Sequence, residues 1–385
     1  MSRRHRTVVV GASLAGSTAA IALRALGDAG EITLIGDEAH APYNRPPLSK
    51  DVLRGRLGAE ALALPALPAD IVQRRETRAV GLDRAAREVI VSGGERIGYD
   101  RLVIATGARA RRFVAPPQQG STPVHEWQLR TLDNALDLGT RLAARPRVLV
   151  IGAGFIGMEA ASVCRDLGCE VAMLSRREPL TEQLGGFFAR RFAQAARDAG
   201  VVLYRIAAPG QALVSQGRLM GVTWDDGRRI EADVVITAIG CQPNIEWLAG
   251  SDLAQADGVP VDARCRAAPD IVAAGDVALL SPSPGAALRR VPLWTHAGEQ
   301  ARAAAASLVL GDAAEPYRWS PYGWTEAFGL AVKIAGPVPV HGEPEVIDGD
   351  LGSSRALLRW HGPAGTTVAA LNLKLPVARL RRLAA

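Results

Sequence analysis

Val148-Leu149-Val150-Ile151-Gly152-Ala153-Gly154-Phe155-Ile156-Gly157-Met158-Glu159 is the stretch that decides the fold. Its four leading apolar residues read as a buried parallel strand. They run straight into a complete G-x-G-x-x-G, after which a helix is expected from Met158 through Leu167 and a further strand from Glu170 to Leu174. In such a strand–turn–helix unit each glycine has a mechanical role. Gly152 makes the tight turn, Gly154 lets backbone approach a pyrophosphate, and Gly157 lets the helix pack closely on the strand. The free N–H groups at the helix start then face the phosphates. Gly152, Gly154, Phe155, Ile156 and Gly157 are therefore the expected dinucleotide contacts.

A second unit of the same kind opens the chain. Thr7 to Val10 is a short β-branched strand leading into Gly11-Ala12-Ser13-Leu14-Ala15-Gly16, with a helix expected from Ser17 to Leu26. Ser13 takes the place of the middle glycine and is small enough for close backbone approach, so Gly11, Ser13, Ala15 and Gly16 form the expected site. The strand Glu31 to Ile35 ends at Gly36-Asp37-Glu38. An acid about 20 residues past the last glycine is where a ribose hydroxyl is held, which points to Asp37; the alternative is a surface turn acid. Two fingerprints imply two dinucleotides on two separate sheets, FAD at the first and a nicotinamide cofactor at the second.

The remaining composition sets bounds. A chain of 385 residues exceeds one ordinary core, so two or three domains are expected. The 48% hydrophobic and 22% charged content is that of a soluble globular protein. The net charge of +6 favours acidic partners, but the arginines are spread along the chain and no nucleic-acid motif accompanies them. Cys164, Cys169, Cys241 and Cys265 contain no C-x-x-C and no metal-ligand spacing, so a reduced, cytoplasmic setting is expected. Ser2-Arg3-Arg4-His5-Arg6 before apolar residues has the outline of a secretory signal, but those residues are better explained by the first strand and its glycine turn. No run of 18 apolar residues suggests a membrane span.

Further motifs carry a resemblance. Pro42-Tyr43-Asn44-Arg45-Pro46-Pro47-Leu48-Ser49-Lys50 is a proline-stiffened loop. Arg101 to Gly107 is a strand ending in Ala105-Thr106-Gly107, and Leu129-Arg130-Thr131-Leu132-Asp133-Asn134-Ala135 follows the linker-like Pro116 to Gly120. Ile271 to Ala278 contains Ala274-Gly275-Asp276-Val277, and Val291 to Gln300 carries Trp294, Ala297 and Gln300 ahead of an expected helix. In this order they resemble the FAD-dependent ferredoxin reductases of bacterial oxygenase systems, two-dinucleotide flavoproteins of the putidaredoxin reductase and biphenyl dioxygenase reductase type.

The resemblance spans the chain and implies an α/β fold of two Rossmann-like domains, the FAD domain split by the inserted NAD(P) domain, plus a small α+β C-terminal domain. The implied boundaries are 1–115 and 241–316 for the FAD domain, 116–240 for the NAD(P) domain and 317–385 for the last. It puts Arg45, Lys50, Val80, Thr106, Gly107, Arg130, Asp276 and Trp294 at the flavin and Gly240 at the nicotinamide nucleotide. Lys50, Glu159 and Trp294 take the places nearest the chemistry, with no metal. The implied activity is an NAD(P)H-dependent flavoprotein reductase feeding a ferredoxin or similar acidic one-electron carrier, as a monomer or homodimer.

The chain departs from the pattern at Asn134, at Pro292 and at Gly323-Trp324-Thr325-Glu326-Ala327, which stands where the family carries F-W-S-D-Q. A stand-alone oxidase or small-molecule oxidoreductase, and a redox-sensing protein of the apoptosis-inducing-factor kind, stay open as alternatives. Disulfide-reductase chemistry needs a C-x-x-C or C-x4-C following the first fingerprint, and no cysteine lies before Cys164. Ser175-Arg176-Arg177 ends the second strand of the nicotinamide domain, where NADH users carry an acid. Two guanidinium groups there favour a 2′-phosphate, hence NADPH with NADH as the alternative; otherwise they are a solvated basic turn.

Overall fold

The computed structural model describes residues 5–115, 123–208, 210–281 and 286–385. Ser2, Arg3, Arg4 and the Pro116 to Gly120 stretch lie outside the described residues. In chain order come β1 (Arg6–Val10), α1 (Leu14–Ala25), β2 (Glu31–Ile35), β3 (Val72–Arg74) and β4 (Arg101–Ile104). Then follow α2 (Leu132–Leu142), β5 (Arg147–Ile151), α3 (Phe155–Asp166), β6 (Glu170–Ser175), β7 (Val202–Arg205) and β8 (Val234–Thr237). β9 (Arg266–Ala268), β10 (Ile271–Ala273) and α4 (Trp294–Leu310) come next. The chain closes with β11 (Tyr322–Ala327), β12 (Leu330–Ala335), β13 (Glu345–Asp350), β14 (Arg355–Gly362), β15 (Gly365–Leu371) and α5 (Val377–Ala384).

These elements fall into two compact units. One holds residues 1–44, 59–109 and 242–319; the other holds 45–58, 110–241 and 320–385. The first is built on a six-stranded sheet ordered β9-β10-β4-β1-β2-β3. All its pairings are parallel except β9 against β10. Its central strands β1, β2, β4 and β10 are apolar on both sides. Val9, Leu34, Val103 and Val272 pack one face with α1 and α4, while Val8, Val10, Ile35, Leu102 and Ile104 pack the other. Double burial is why these segments read as continuous apolar runs rather than alternating ones.

The second unit carries a parallel sheet ordered β7-β6-β5-β8. It also holds an antiparallel sheet, β11-β12-β15-β14-β13, against which α5 packs Leu380. In both parallel sheets the strand order reverses beside the fingerprint strand, at β1 and at β5. Ligands of open α/β sheets bind at the carboxyl ends of the strands at such a point. This is the two-Rossmann α/β architecture expected from the motifs.

Both fingerprint helices begin three residues earlier than expected, at Leu14 and Phe155 rather than Ser17 and Met158. The third glycine of each motif thus lies inside the first turn. A Cβ built on Gly16 would stand 1.8 Å from the Gly11 carbonyl oxygen, and one on Gly157 2.1 Å from that of Gly152. Close packing of the turn, not helix termination, is what demands glycine there.

Candidate functional site

In the first unit the chain leaves β1 at Gly11, whose φ of +115° suits glycine and whose built Cβ would lie 2.1 Å from the Ala105 carbonyl oxygen. Ser13 is the N-cap of α1 in extended backbone, and no acid occupies the helix's first turn. That leaves the positive helix end for an anion. Gly275 brings the Ala274–Val277 turn against this helix: its built Cβ would be 3.0 Å from the Ala15 Cβ. The Gly275 N–H is held by Gln300 Oε1 at 2.8 Å, so half-buried Asp276 is fixed beside the fingerprint. Thr106 and Gly107 form a second edge. The Thr106 hydroxyl donates to the Asn244 carbonyl at 2.8 Å, and the Asn244 side-chain amide donates back to the Thr106 carbonyl at 2.9 Å. Asp37 is exposed at the end of β2, whereas its neighbour Glu38 accepts from Tyr43 at 2.5 Å. Trp294, the first residue of α4, is 39% exposed. Val80 stands exposed in a strand of the small sheet formed by residues 79–98, apart from the six-stranded sheet. A cradle with no room for a Cβ, an acid-free helix end and a carboxylate beside it fit a pyrophosphate-linked dinucleotide.

The second unit repeats the cradle. Gly152 has φ +106°, and its built Cβ would lie 2.3 Å from the Ala238 carbonyl oxygen. Gly154 differs: a Cβ there would meet only the Gln183 side-chain amide, at 3.5 Å, so its backbone faces open space. Phe155 is half-buried and Ile156 is 42% exposed at the start of α3, which also lacks an acid in its first turn. Gly240, φ +96°, accepts from the Arg111 N–H at 2.9 Å. At the end of β6 the Ser175 hydroxyl donates to the Arg177 carbonyl at 2.7 Å, which bends the chain so that Arg176 and Arg177 stand exposed. Arg177 has a loose, exposed ion pair with Glu182 at 3.5 Å.

Lys50 and Glu159, 109 residues apart, meet in this unit. The Lys50 ammonium donates to Glu159 Oε2 at 2.6 Å, with the carboxylate side chain 4% exposed and the lysine 11%. Two further donors close on the same carboxylate: Ser49 Oγ on Oε2 at 2.6 Å and Thr325 Oγ1 on Oε1 at 2.9 Å. The proline-stiffened turn Pro46–Ser49 supplies Ser49, its C-cap is Lys50, and β11 supplies Thr325. A buried charge needs this many partners, because desolvation costs several kcal/mol unless paired and hydrogen-bonded. Sequence reasoning passed over Ser49 and Thr325; their only signals were the Ser beside Lys50 and a Thr standing where the family pattern F-W-S-D-Q carries Ser.

Arg45 and Arg130 also come together, the Arg45 guanidinium donating to the Arg130 carbonyl at 2.7 Å. Asn134, which departs from the family's acid, has a local task. Its backbone N–H donates to Thr131 Oγ1 and its Oδ1 accepts from the Thr131 N–H, each at 3.2 Å, closing a capping box at the start of α2. Trp324, half-buried on β11, lies 6.0 Å from the Tyr322 ring.

His296 lies in the core of the first unit, at the start of α4. It is 1% exposed, with Nδ1 2.8 Å from the Tyr317 hydroxyl and Nε2 without a partner among the described residues. Burial pushes its pKa down to about 4, with Asp276 acting weakly in the opposite sense. The folded value lies below the unfolded one of about 6.5, so the unfolded chain binds the proton first as pH falls. Stability is full above about pH 6.5 and declines toward pH 4. Between pH 7 and pH 5 this group should cost about 2 kcal/mol of unfolding free energy, read as the difference between native and His296→Asn proteins in urea melts. Equal pH dependence in the two proteins would refute the assignment.

The sequence from residue 5 to 301 matches the family model described as pyridine nucleotide-disulphide oxidoreductase. The chain belongs to that family. It is an FAD-dependent oxidoreductase that uses a nicotinamide nucleotide. Rhodocoxin reductase of Rhodococcus erythropolis is 37% identical over 86% of this chain and 77% of its own length. The biphenyl dioxygenase system ferredoxin–NAD(+) reductase component of Paraburkholderia xenovorans is 33% identical over 91% and 85%. Among solved structures, the reductase in the covalent putidaredoxin reductase–putidaredoxin complex superposes with a TM-score of 0.86 at 28% identity, covering 100% of this chain and 93% of that one. Despite the family's name, the neighbouring thiols of this member, Cys164 and Cys169, lie in the nicotinamide-type unit at the end of α3 and before β6, both buried. Among the described residues no group of side chains could hold a metal ion, and no helix is long and apolar enough to cross a membrane.

Proposed function

We propose that this oxidoreductase carries electrons from NADPH to a ferredoxin-type iron–sulfur protein in the cytoplasm. The observation that carries the reading is the buried Lys50–Glu159 pair set directly behind the nicotinamide-type fingerprint. It is supported by the reductase components of oxygenase systems among the relatives and by a solved neighbour captured with its putidaredoxin. A net charge of +6 suits an acidic carrier.

FAD, when bound, takes up a hydride from the reduced nicotinamide and releases electrons one at a time. The chain supplies position and charge. Gly11, Ser13, Ala15 and Gly16 offer backbone N–H groups to the pyrophosphate, Asp37 an acceptor for a ribose, and Asp276 an acceptor for a ribityl hydroxyl. Lys50 holds a cation where negative charge grows on the ring, and Glu159 keeps that cation from swinging into solvent. Arg45 and Arg130, joined through the Arg130 carbonyl, would hold the flavin, Trp294 would shield the ring from water, and Val80, Thr106 and Gly107 would add further contacts to the cofactor. Gly152, Gly154, Phe155, Ile156, Gly157 and Gly240 hold the nicotinamide nucleotide.

Cofactor choice follows from the end of β6. Ser175 offers no carboxylate to a ribose 2′-hydroxyl, while Arg176 has no ion pair among the described residues and is available to a 2′-phosphate. Arg177 contributes less, since Glu182 shares it. Relatives named as NAD(+) reductases act with the other nucleotide, so the two readings are directly comparable. After discounting for exposure, NADPH should be favoured roughly 5- to 30-fold in kcat/KM. Ser175→Glu with Arg176→Ala should reverse the preference. Steady-state oxidation of both nucleotides, with and without added ferredoxin, tests the whole reading. Equal efficiency with NADH removes the cofactor assignment. Turnover that ferredoxin does not accelerate, with oxygen consumed instead, points to an oxidase; Pro292 and the altered 323–327 stretch are the residues that favour that outcome.

A further inference from the structure

Thr325 is 1% exposed in the middle of β11, paired in register with Val332, and its hydroxyl is committed to one partner, Glu159 Oε1 at 2.9 Å. The strand is pinned to the helix that carries Glu159: the Phe328 N–H donates to Ser162 Oγ at 2.8 Å. On the other oxygen of the carboxylate sit Ser49 and Lys50, each at 2.6 Å.

The terminal torsion of a glutamate is broad and roughly two-fold, so donors on one oxygen leave the carboxylate plane free to rotate and the oxygens free to exchange. A donor on the second oxygen removes that freedom. We propose that Thr325 is a positioning residue for hydride transfer, its hydroxyl locking the plane of the Glu159 carboxylate and through it the place of the Lys50 ammonium. The proposal rests on the reading of Lys50 and Glu159 as hydride-site residues. It also gives the 323–327 stretch a task, because β11 reaches the site through the hydroxyl of Thr325, which stands where the family pattern carries Ser.

Thr325→Val keeps the shape and removes the donor; Thr325→Ser restores it. In anaerobic stopped flow with saturating NADPH or NADH, Thr325→Val should slow flavin reduction about 10-fold, and Thr325→Ser should stay within about 2-fold of the native protein. In calorimetry without any turnover, Thr325→Val should weaken NADP+ binding about 3-fold. Placed on Glu159→Ala, Thr325→Val should add nothing to either quantity, since the group it positions is gone. Should Val at this position not fold, Thr325→Cys, similar in size with a weak donor, carries the same comparison.

A slow Glu159→Ala beside an unaffected Thr325→Val overturns the positioning role and leaves the hydride-site reading standing. An equal penalty for Thr325→Val in both backgrounds makes Thr325 a packing residue and also overturns it. A Glu159→Ala protein that reduces at the native rate removes the underlying reading itself.

Discussion

Lys50→Met should lower the limiting rate of flavin reduction about 100-fold, the size of loss expected when a preorganised electrostatic donor at a developing charge is removed. The substitution keeps length and removes charge, so packing of the stem is retained. It also leaves Glu159, 4% exposed at its side chain, with Ser49 and Thr325 but no counter-charge. Breaking one half of a buried pair costs about 3–5 kcal/mol, so the melting temperature should drop by several degrees as well. Separating the two effects needs Glu159→Gln, which removes the buried charge and keeps an oxygen for the donors; paired with Lys50→Met it should recover stability without recovering rate. Native reduction rates in both Lys50→Met and Glu159→Ala would show that neither residue borders the hydride path.

Gly11→Ala should yield protein that does not retain flavin. The added methyl would sit 2.1 Å from the Ala105 carbonyl oxygen and 2.8 Å from the Thr106 nitrogen, both backbone atoms, in a conformation of φ +115°. Nothing flexible is available to move, so β1 and β4 must separate where their carboxyl ends frame the site. A cost above about 3 kcal/mol is expected from strain and lost pairing together. Gly58→Ala is the matched control, since its built Cβ meets nothing within 4 Å and its backbone is not left-handed. Flavin absorbance per mole of purified protein measures the result. A Gly11→Ala protein as yellow as the control would mean that the first cradle does not hold FAD.

Both cradles were legible in the sequence because their physics is local. A strand buried on two faces leaves an apolar run, and a turn that excludes a Cβ leaves glycine, so β1, β5 and the glycines after them announce themselves. Helix starts were misplaced because glycine disfavours helix in general, whereas Gly16 and Gly157 are held in the first turn by contact with a carbonyl. The three-donor arrangement on Glu159 was half visible. Lys50 and Glu159 could each be placed by motif, but Thr325 lies 166 residues from Glu159 and joins it only through the packing of β11 on α3. Asn134 looked like a defect in a motif and is a local helix cap, which a Thr three residues earlier already signals.

The order of the six-stranded sheet bears on how the chain is made. Strand β4 lies between β1, which precedes it, and β10, where Ile271 pairs with Leu102 and Ala273 with Ile104. During synthesis the apolar edge of β4 therefore stays bare until everything up to β10 has left the ribosome. The sheet β7-β6-β5-β8, whose strands all fall between Arg147 and Thr237, can close in the meantime. Non-local parallel pairing is slow and leaves strand edges open to wrong partners. Overproduction that outruns this closure should deposit chains whose later, inserted sheet is formed and whose first is not, so slower translation at lower temperature, with flavin supplied during growth, is the condition that favours soluble protein.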